Sequence, residues 1–284
     1  MDRKSIEIVV AHYNEDLRWM AGVAEDCIVY SKGTDTGSVP LPHIVLPNIG
    51  REGHTYLHHI TTRYDELADI TIFAQGSIGD HINLNIVQMK NAASKMSTDS
   101  IMTFPPRDLE LFDAWEGIEW ERYPCWRKWS SMVTKRMPLT PAEYFARFIG
   151  GGRVPVSIGF QPGAIFAVPR QIIHSRPLGL YKELMQTMFL GDMAHFNPET
   201  GHYMERFWLA MWKPDEYICW SREDVSKTDR NREGQLTKGR WRVVPAVHRD
   251  HVGSIPEAGA KEAINQQDKR PQASFVGVIR ARLN

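Results

Sequence analysis

Cysteine is scarce: three residues in a chain of 284, Cys27, Cys125 and Cys219, far apart and with no CxxC pair. That spacing excludes a disulfide framework and a zinc knuckle. An excess of either charge is also missing, with 34 Lys and Arg against 34 Asp and Glu. No overall field therefore draws the chain to nucleic acid or to an acidic membrane surface. Long apolar runs are absent as well. The start, "MDRKSIEIVVAHYNED", holds only a short run broken by Glu7, too brief for a signal peptide and far below the ~20 residues of a membrane span. A cytoplasmic protein is expected. No HExxH, no GxSxG elbow, no GxxxxGK[ST] and no GxGxxG after a strand occurs, which disfavours a zinc protease, a serine hydrolase and the two common nucleotide loops. No internal repeat is visible.

What is present reads as an ordinary globular protein, 42% hydrophobic and 24% charged, long enough for one large domain. "IEIVVAHY" (Ile6–Tyr13) is nearly continuous and β-branched, as a strand buried on both faces should be. Further short apolar runs follow at Asp26–Gly33 and His43–Gly50. A helical stretch from Glu52 to about Tyr64 precedes the strand-like Ala68–Gly76, and a helix is expected from Asp80 to about Lys95. This alternation argues for an α/β fold with a mainly parallel sheet flanked by helices. Phe104 to Pro141 is dense in Trp, Pro and charge and reads as an irregular excursion. Its Trp115, Trp120, Trp126 and Trp129 suit a local hydrophobic cluster or a platform for a sugar. Thr140, Pro141 and Glu143 carry a helix-start signature. "GGGR" (Gly150–Arg153) reads as a flexible loop or lid. "GAIFAVP" is a strand, and "RPLGLYKELMQTMFL" and "GHYMERFWLAMW" are apolar-striped helices. The expected organisation is one α/β domain over residues 1–224 and a polar extension over 225–284, loosely packed in part, in which "WRVVPAV" and "SFVGVIRARL" could dock as short strands.

Chemistry concentrates in "LPNIGREGHTYLHHI". On a helical wheel Gly53, Tyr56, Leu57, Ile60 and Tyr64 form the core stripe. Arg51, His54, Thr55, His58 and Thr62 take the opposite side, with Glu52 and His59 on a flank. His54 and His58, four apart, have the spacing of zinc ligands, but a third ligand is missing and Arg51 would repel a cation. Two readings stay open. Gly50 and Arg51 at a helix N-terminus can form an anion site from backbone N–H groups and a guanidinium. Alternatively this is a solvated face. Later, Glu205 lies at the edge of an aromatic-rich helical stripe, where a carboxylate can become a general base or form a surface ion pair.

In order, "VVAHYNEDLRWM", "YSKG", "LPNIGREGHTYLHHI", "YDELADITIFAQGS", "GAIFAVPRQIIHSRPLGLY" and "GHYMERFW" resemble the family called domain of unknown function 3431, from about Ile6 to Trp212. More distantly, a first strand ending in "YNE", a helix opened by "NIGRE", a strand ending near "QG" and a late "ERFW" helix are similar to glycosyltransferases of the GT-A fold, a Rossmann-related architecture. That resemblance implies Tyr13, Asn14 and Glu15 near the nucleotide, Asn48, Gly50, Arg51, Glu52 and Gln75 around a nucleotide-sugar, and Glu205 as the base for an acceptor hydroxyl. The implied activity is transfer of a sugar from a nucleotide-sugar donor to a carbohydrate or other hydroxyl acceptor. GT-A enzymes commonly hold a divalent cation, Mn or Mg, on an Asp-x-Asp pair after the strand that here ends in Gln75 and Gly76. No Asp-x-Asp occurs in this chain, and Asp80 and His81 are the nearest substitutes. The alternative is a non-catalytic nucleotide- or carbohydrate-binding protein on the same scaffold. A metal hydrolase built on His54, His58 and His81 is a third reading.

Overall fold

The computed structural model describes residues 4–34, 42–79, 82, 84–104, 109–120 and 135–224. Their strands are β1 (Ile6–His12), β2 (Cys27–Ser31), β3 (His43–Val45), β4 (Ile70–Gln75), β5 (Met102–Thr103), β6 (Glu110–Phe112), β7 (Ser157–Phe160), β8 (Phe166–Pro169) and β9 (Ile218–Cys219). The α-helices are α1 (Arg51–Arg63), α2 (Ile86–Ser94), α3 (Pro141–Phe148), α4 (Arg170–His174), α5 (Leu178–Thr187), α6 (Glu199–Trp212) and α7 (Pro214–Tyr217). A six-stranded sheet runs β3-β2-β1-β4-β8-β5, and a smaller one runs β6-β7-β9. In the large sheet β3, β2, β1 and β4 are parallel, while β8 runs against both β4 and β5. The fold is thus mixed α/β with a mostly parallel sheet flanked by helices.

Strand alternation explains why these runs look uniformly apolar. Val9, Tyr30, Phe73 and Phe166 point to the face covered by α1 and α6, while Ile8, Val10, Val29, Ile72 and Ala167 point to the face covered by α2. Both sets are almost fully buried, so neither face can tolerate polar alternation. The first face is aromatic: Tyr56 lies 4.8 Å from Phe73, and Trp208 stacks on Trp212 at 4.8 Å.

The helix signals act as expected at α3. Thr140 accepts the Glu143 N–H and Glu143 reaches back to Thr140, with Pro141 in the first turn. Asn85 and Gln88 form the same reciprocal cap on α2, which is why that helix begins at Ile86 and not at Asp80. "GGGR" is the C-terminal turn of α3. Gly150 and Gly152 donate to Phe145 and Ala146 carbonyls, both at 2.7 Å, and Gly151 and Gly152 take left-handed φ of 58° and 84°. The irregular middle contains β6, and Trp115 packs among Phe112, Phe145 and Phe207. Trp126, Trp129, Cys125, Asp80, His81 and the whole 225–284 extension lie outside the described residues.

Of the two readings left open for α1, a wholly solvated face does not hold: Glu52, His54, Thr55 and His59 are buried, Arg51 and His58 are half-buried, and only Thr62 on that side is exposed. α1 is a middle layer: β1 packs on one side of it and α5 and α6 on the others. His59 is consumed by a buried relay, with Nδ1 at 3.0 Å from the Tyr30 hydroxyl and Nε2 at 3.2 Å from Glu7 Oε1. Thr71 and the Ala68 N–H also donate to that carboxylate. Burial pushes Glu7 upward, but His59 and these donors outweigh it and hold the carboxyl below its ordinary value.

Candidate functional site

Strand order places the crevice. From β1 the chain steps outward through β2 to β3, then returns to the other side of β1 for β4. In open α/β sheets such a reversal opens a cleft beyond the strand carboxyl ends, where ligands bind. Here those ends are His12–Glu15 after β1, Lys32 and Gly33 after β2, and Gln75 and Gly76 after β4.

The loops there are tightly fitted. Asn14 takes a left-handed φ of 59°, and its side-chain oxygen would lie 2.2 Å from a Cβ on Gly33. The Glu15 carboxylate folds back onto the Tyr13 N–H and would meet a Cβ on Gly76 at 2.3 Å. A side chain at either glycine would have to push the Asn14 amide or the Glu15 carboxylate aside. Tyr13 is left about half exposed at the mouth. Behind it, His12 is buried between Ser31 Oγ at 2.9 Å and the Glu15 carbonyl at 3.2 Å.

α1 enters the same crevice. Gly50, its N-cap, has φ 65°, and Arg51 has φ 52°, a conformation that costs a non-glycine residue about 1–2 kcal/mol. Lys32 clamps this turn. Its buried ammonium donates to the Ile49 carbonyl at 2.7 Å and to the Arg51 carbonyl, while its own N–H donates to His12 O at 3.0 Å. Burial lowers Lys32 to about 7, against the opposing pull of Glu52. The start of α1 is thereby fastened beside the end of β1. The helix N-terminus is partly occupied by its own side chain: Glu52 folds its carboxylate onto its own N–H. Asn48 lies exposed in the preceding turn.

α6 closes the opposite side. Arg51 Nη1 reaches Asn197 Oδ1 at 3.4 Å, and the same oxygen lies 2.9 Å from His202 Nε2. Two donors on one atom fit an oxygen there and place the His202 proton on Nε2. Burial, with Arg51 and Arg206 beside it, holds His202 well below the ordinary histidine range, so the ring is neutral. Glu205, buried, accepts the Gly163 N–H on Oε1 at 2.7 Å, and Oε2 faces Arg206 Nη1 at 3.3 Å. The Gly163 carbonyl in turn accepts Gln75 Nε2 at 2.7 Å. A single residue between β7 and β8, Gly163, thus joins the end of β4 to the carboxylate on α6.

Of the residues singled out from the sequence, Gly50, Arg51, Glu52, Gln75 and Glu205 belong to this contact chain, and Tyr13, Asn14 and Glu15 form its β1 rim. Lys32, His12, Asn197 and His202 were missed. A lysine ending an apolar run just before a glycine, in "YSKG", was the available signal for Lys32. His54 and His58 sit with ring centroids 6.3 Å apart. Burial lowers His54 to about 3, with Lys32 and His58 adding to the effect, so the surroundings oppose positive charge. Among the described residues no group of three or more His, Cys, Asp or Glu is placed to hold a metal ion. Nor is any described helix long and apolar enough to cross a membrane.

No curated protein matches the chain. A family match does extend over residues 8–227, from β1 through α6 and beyond, and so over every residue of the crevice just described. The chain belongs to that family, described as protein of unknown function DUF3431.

Proposed function

We propose that this chain is a glycosyltransferase of the GT-A type, moving a sugar from a nucleotide-sugar donor to a hydroxyl acceptor. The observation that supports this most is the link from Gln75 through Gly163 to Glu205. It brings a buried carboxylate on a late helix to the crevice at the β1–β4 reversal, where an α/β sheet receives its ligand. The donor's base would lie against Tyr13 and Asn14. Its diphosphate would meet Arg51, whose side chain is 28% exposed and so reachable from solvent, with the Lys32 ammonium behind. A buried carboxylate would take the acceptor proton, and the guanidinium would stabilise the departing diphosphate.

The divalent cation that the resemblance implies does not fit the described strand ends. Gln75 offers one neutral amide oxygen, Gly76 no side chain, and the Glu15 carboxylate beside it is turned onto the Tyr13 N–H, while Lys32, Arg51 and Arg206 bring positive charge. The charge of the diphosphate falls to Arg51 and Lys32.

The test is Arg51→Ala, read by titration calorimetry with uridine and guanosine diphosphates and by thermal melting. Loss of a charge-assisted contact of about 1.5–3 kcal/mol should weaken binding roughly 10–100-fold with little loss of melting temperature. Unchanged affinity removes Arg51 from the mechanism. Tight binding without any release of diphosphate from a sugar nucleotide would favour the non-catalytic binding protein.

A further inference from the structure

Two carboxylates reach the crevice from facing helices, and their surroundings differ. Glu205 is committed on both oxygens, to the Gly163 N–H and to Arg206. Arg206 is itself fixed, donating to the His202 carbonyl at 2.9 Å and lying 5.2 Å over the Phe160 ring. Glu52 is 6% exposed. Its Oε2 lies 3.5 Å from Arg51 Nε, but its Oε1 has no hydrogen-bond partner among the described residues.

Tyr56, whose hydroxyl is also without a partner among the described residues, feels the charges of both Glu52 and Glu205, and Trp208 Nε1 is unpartnered as well. Tyr56 follows Glu52 by one helical turn, and Trp208 follows Glu205 by three residues on α6, so each shares a face with its carboxylate. Their rings lie 6.2 Å apart across the α1–α6 contact. A buried group left unpaired costs about 1–3 kcal/mol. Of the two carboxylates, only Glu52 keeps an oxygen with no donor among the described residues, and a hydroxyl, which donates one hydrogen bond, can supply it.

Building on the sugar-transfer reading, we infer that Glu52 is the base, receiving the proton of an acceptor hydroxyl, and that Glu205 is a positioning residue. The proton passes to Glu52 Oε1. The freed oxygen pair forms the bond to the anomeric carbon, and the bond from that carbon to the diphosphate oxygen breaks. Its electron pair leaves on the diphosphate beside Arg51. The titratable and charged groups that act on Glu52 are Lys32 from the end of β2, Arg51 and Tyr56 from α1, and Glu205 from α6. Burial and Glu205 raise the Glu52 carboxyl more than Arg51, its own N–H and Lys32 lower it. A carboxylate made more basic in this way is the better proton acceptor. Glu205, hydrogen-bonded and ion-paired, is not.

The experiment compares the full chain with Glu52→Gln and Glu205→Gln, using uridine- and guanosine-diphosphate sugars and scoring released nucleoside diphosphate. Glu52→Gln should lower kcat about 10²–10⁴-fold while nucleoside diphosphate affinity stays within about threefold, well under the cost of a lost charged contact. The acid limb of kcat should lie above the ordinary carboxylate range and vanish in that variant. Glu205→Gln, whose amide oxygen still accepts the Gly163 N–H, should move KM more than kcat. A Glu52→Gln enzyme with near wild-type kcat, or one retaining the acid limb, overturns the assignment. An infrared pH titration decides it without turnover. A protonated-carboxyl band that persists above the ordinary carboxylate range should be present in the wild type and absent in Glu52→Gln. If no such band exists the inference about Glu52 fails, whereas a band without any turnover leaves Glu52 as described and removes only the transferase reading.

Discussion

Replacing Glu52 by Gln keeps the shape of the side chain and removes its ability to ionise, so the stability change reports the buried charge. The fold raises the Glu52 carboxyl above its unfolded value, chiefly by burial. Between those two values the folded chain holds more protons than the unfolded one, and stability falls as pH rises through the window. Below the ordinary glutamate range both proteins carry a neutral group and should match. Once pH has risen through that window the wild type carries a carboxylate with one oxygen unpartnered, which costs about 1–3 kcal/mol. Glu52→Gln should therefore gain on the wild type as pH rises from 4 to 8, by up to about that amount. For a domain of this size each kcal/mol moves Tm by roughly 2–4 °C. Urea unfolding or calorimetry at pH 4 and pH 8 measures it. A variant less stable than wild type at pH 8, or a difference that does not vary with pH, would show that Glu52 is a well-paired structural carboxylate, and the reasoning would be refuted. A group whose removal stabilises the fold while abolishing turnover is retained for chemistry.

Two further outcomes follow from the turn before α1. Burial lowers Lys32 from an ordinary 10.5 to about 7. Between those values the unfolded chain holds the proton and the folded chain does not, so wild-type stability relative to Lys32→Met should rise with pH above 7, by up to about 1.4 kcal/mol per unit. Urea curves at pH 7, 8 and 9 that show a constant difference would contradict this. Gly50→Ala would place a Cβ 2.7 Å from His54 Cβ and 2.9 Å from Met188 Sδ at φ 65°, costing about 2–4 kcal/mol from left-handed strain and overpacking together. Gly151→Ala, with φ 58° and nothing within 4 Å, should lose only the strain part of about 1–2 kcal/mol, and equal losses in the two variants would remove the packing argument.

The strands were legible in the sequence because burial on both faces leaves no choice but continuous apolar runs, as in Ile8–Val10 and Ile72–Ala74. The start of α3 was legible because Thr140, Pro141 and Glu143 satisfy local backbone groups whatever surrounds them. The polar side of α1 was not. A helical wheel sets His54 and Thr55 opposite the core stripe and His59 on a flank, and only the tertiary cover from α5, β1 and the Tyr30–Glu7 relay buries all three. Glu52 was noticed as part of "NIGRE", yet its contrast with Glu205 rests on Gly163 and Arg206, partners that no spacing in the chain reveals. Asn197 and His202 were invisible for the same reason, since their roles exist only once α6 lies across the N-terminus of α1.

Because α1 is buried from Glu52 to Leu57, the half-buried arginine that opens it stands on a rigid wall. Changing what this protein accepts by reshaping that wall would mean dismantling its interior. Adaptation, whether natural or engineered, is left to the outer lip of the crevice, where Tyr13 and Asn48 face solvent and a new side chain disturbs nothing beneath it.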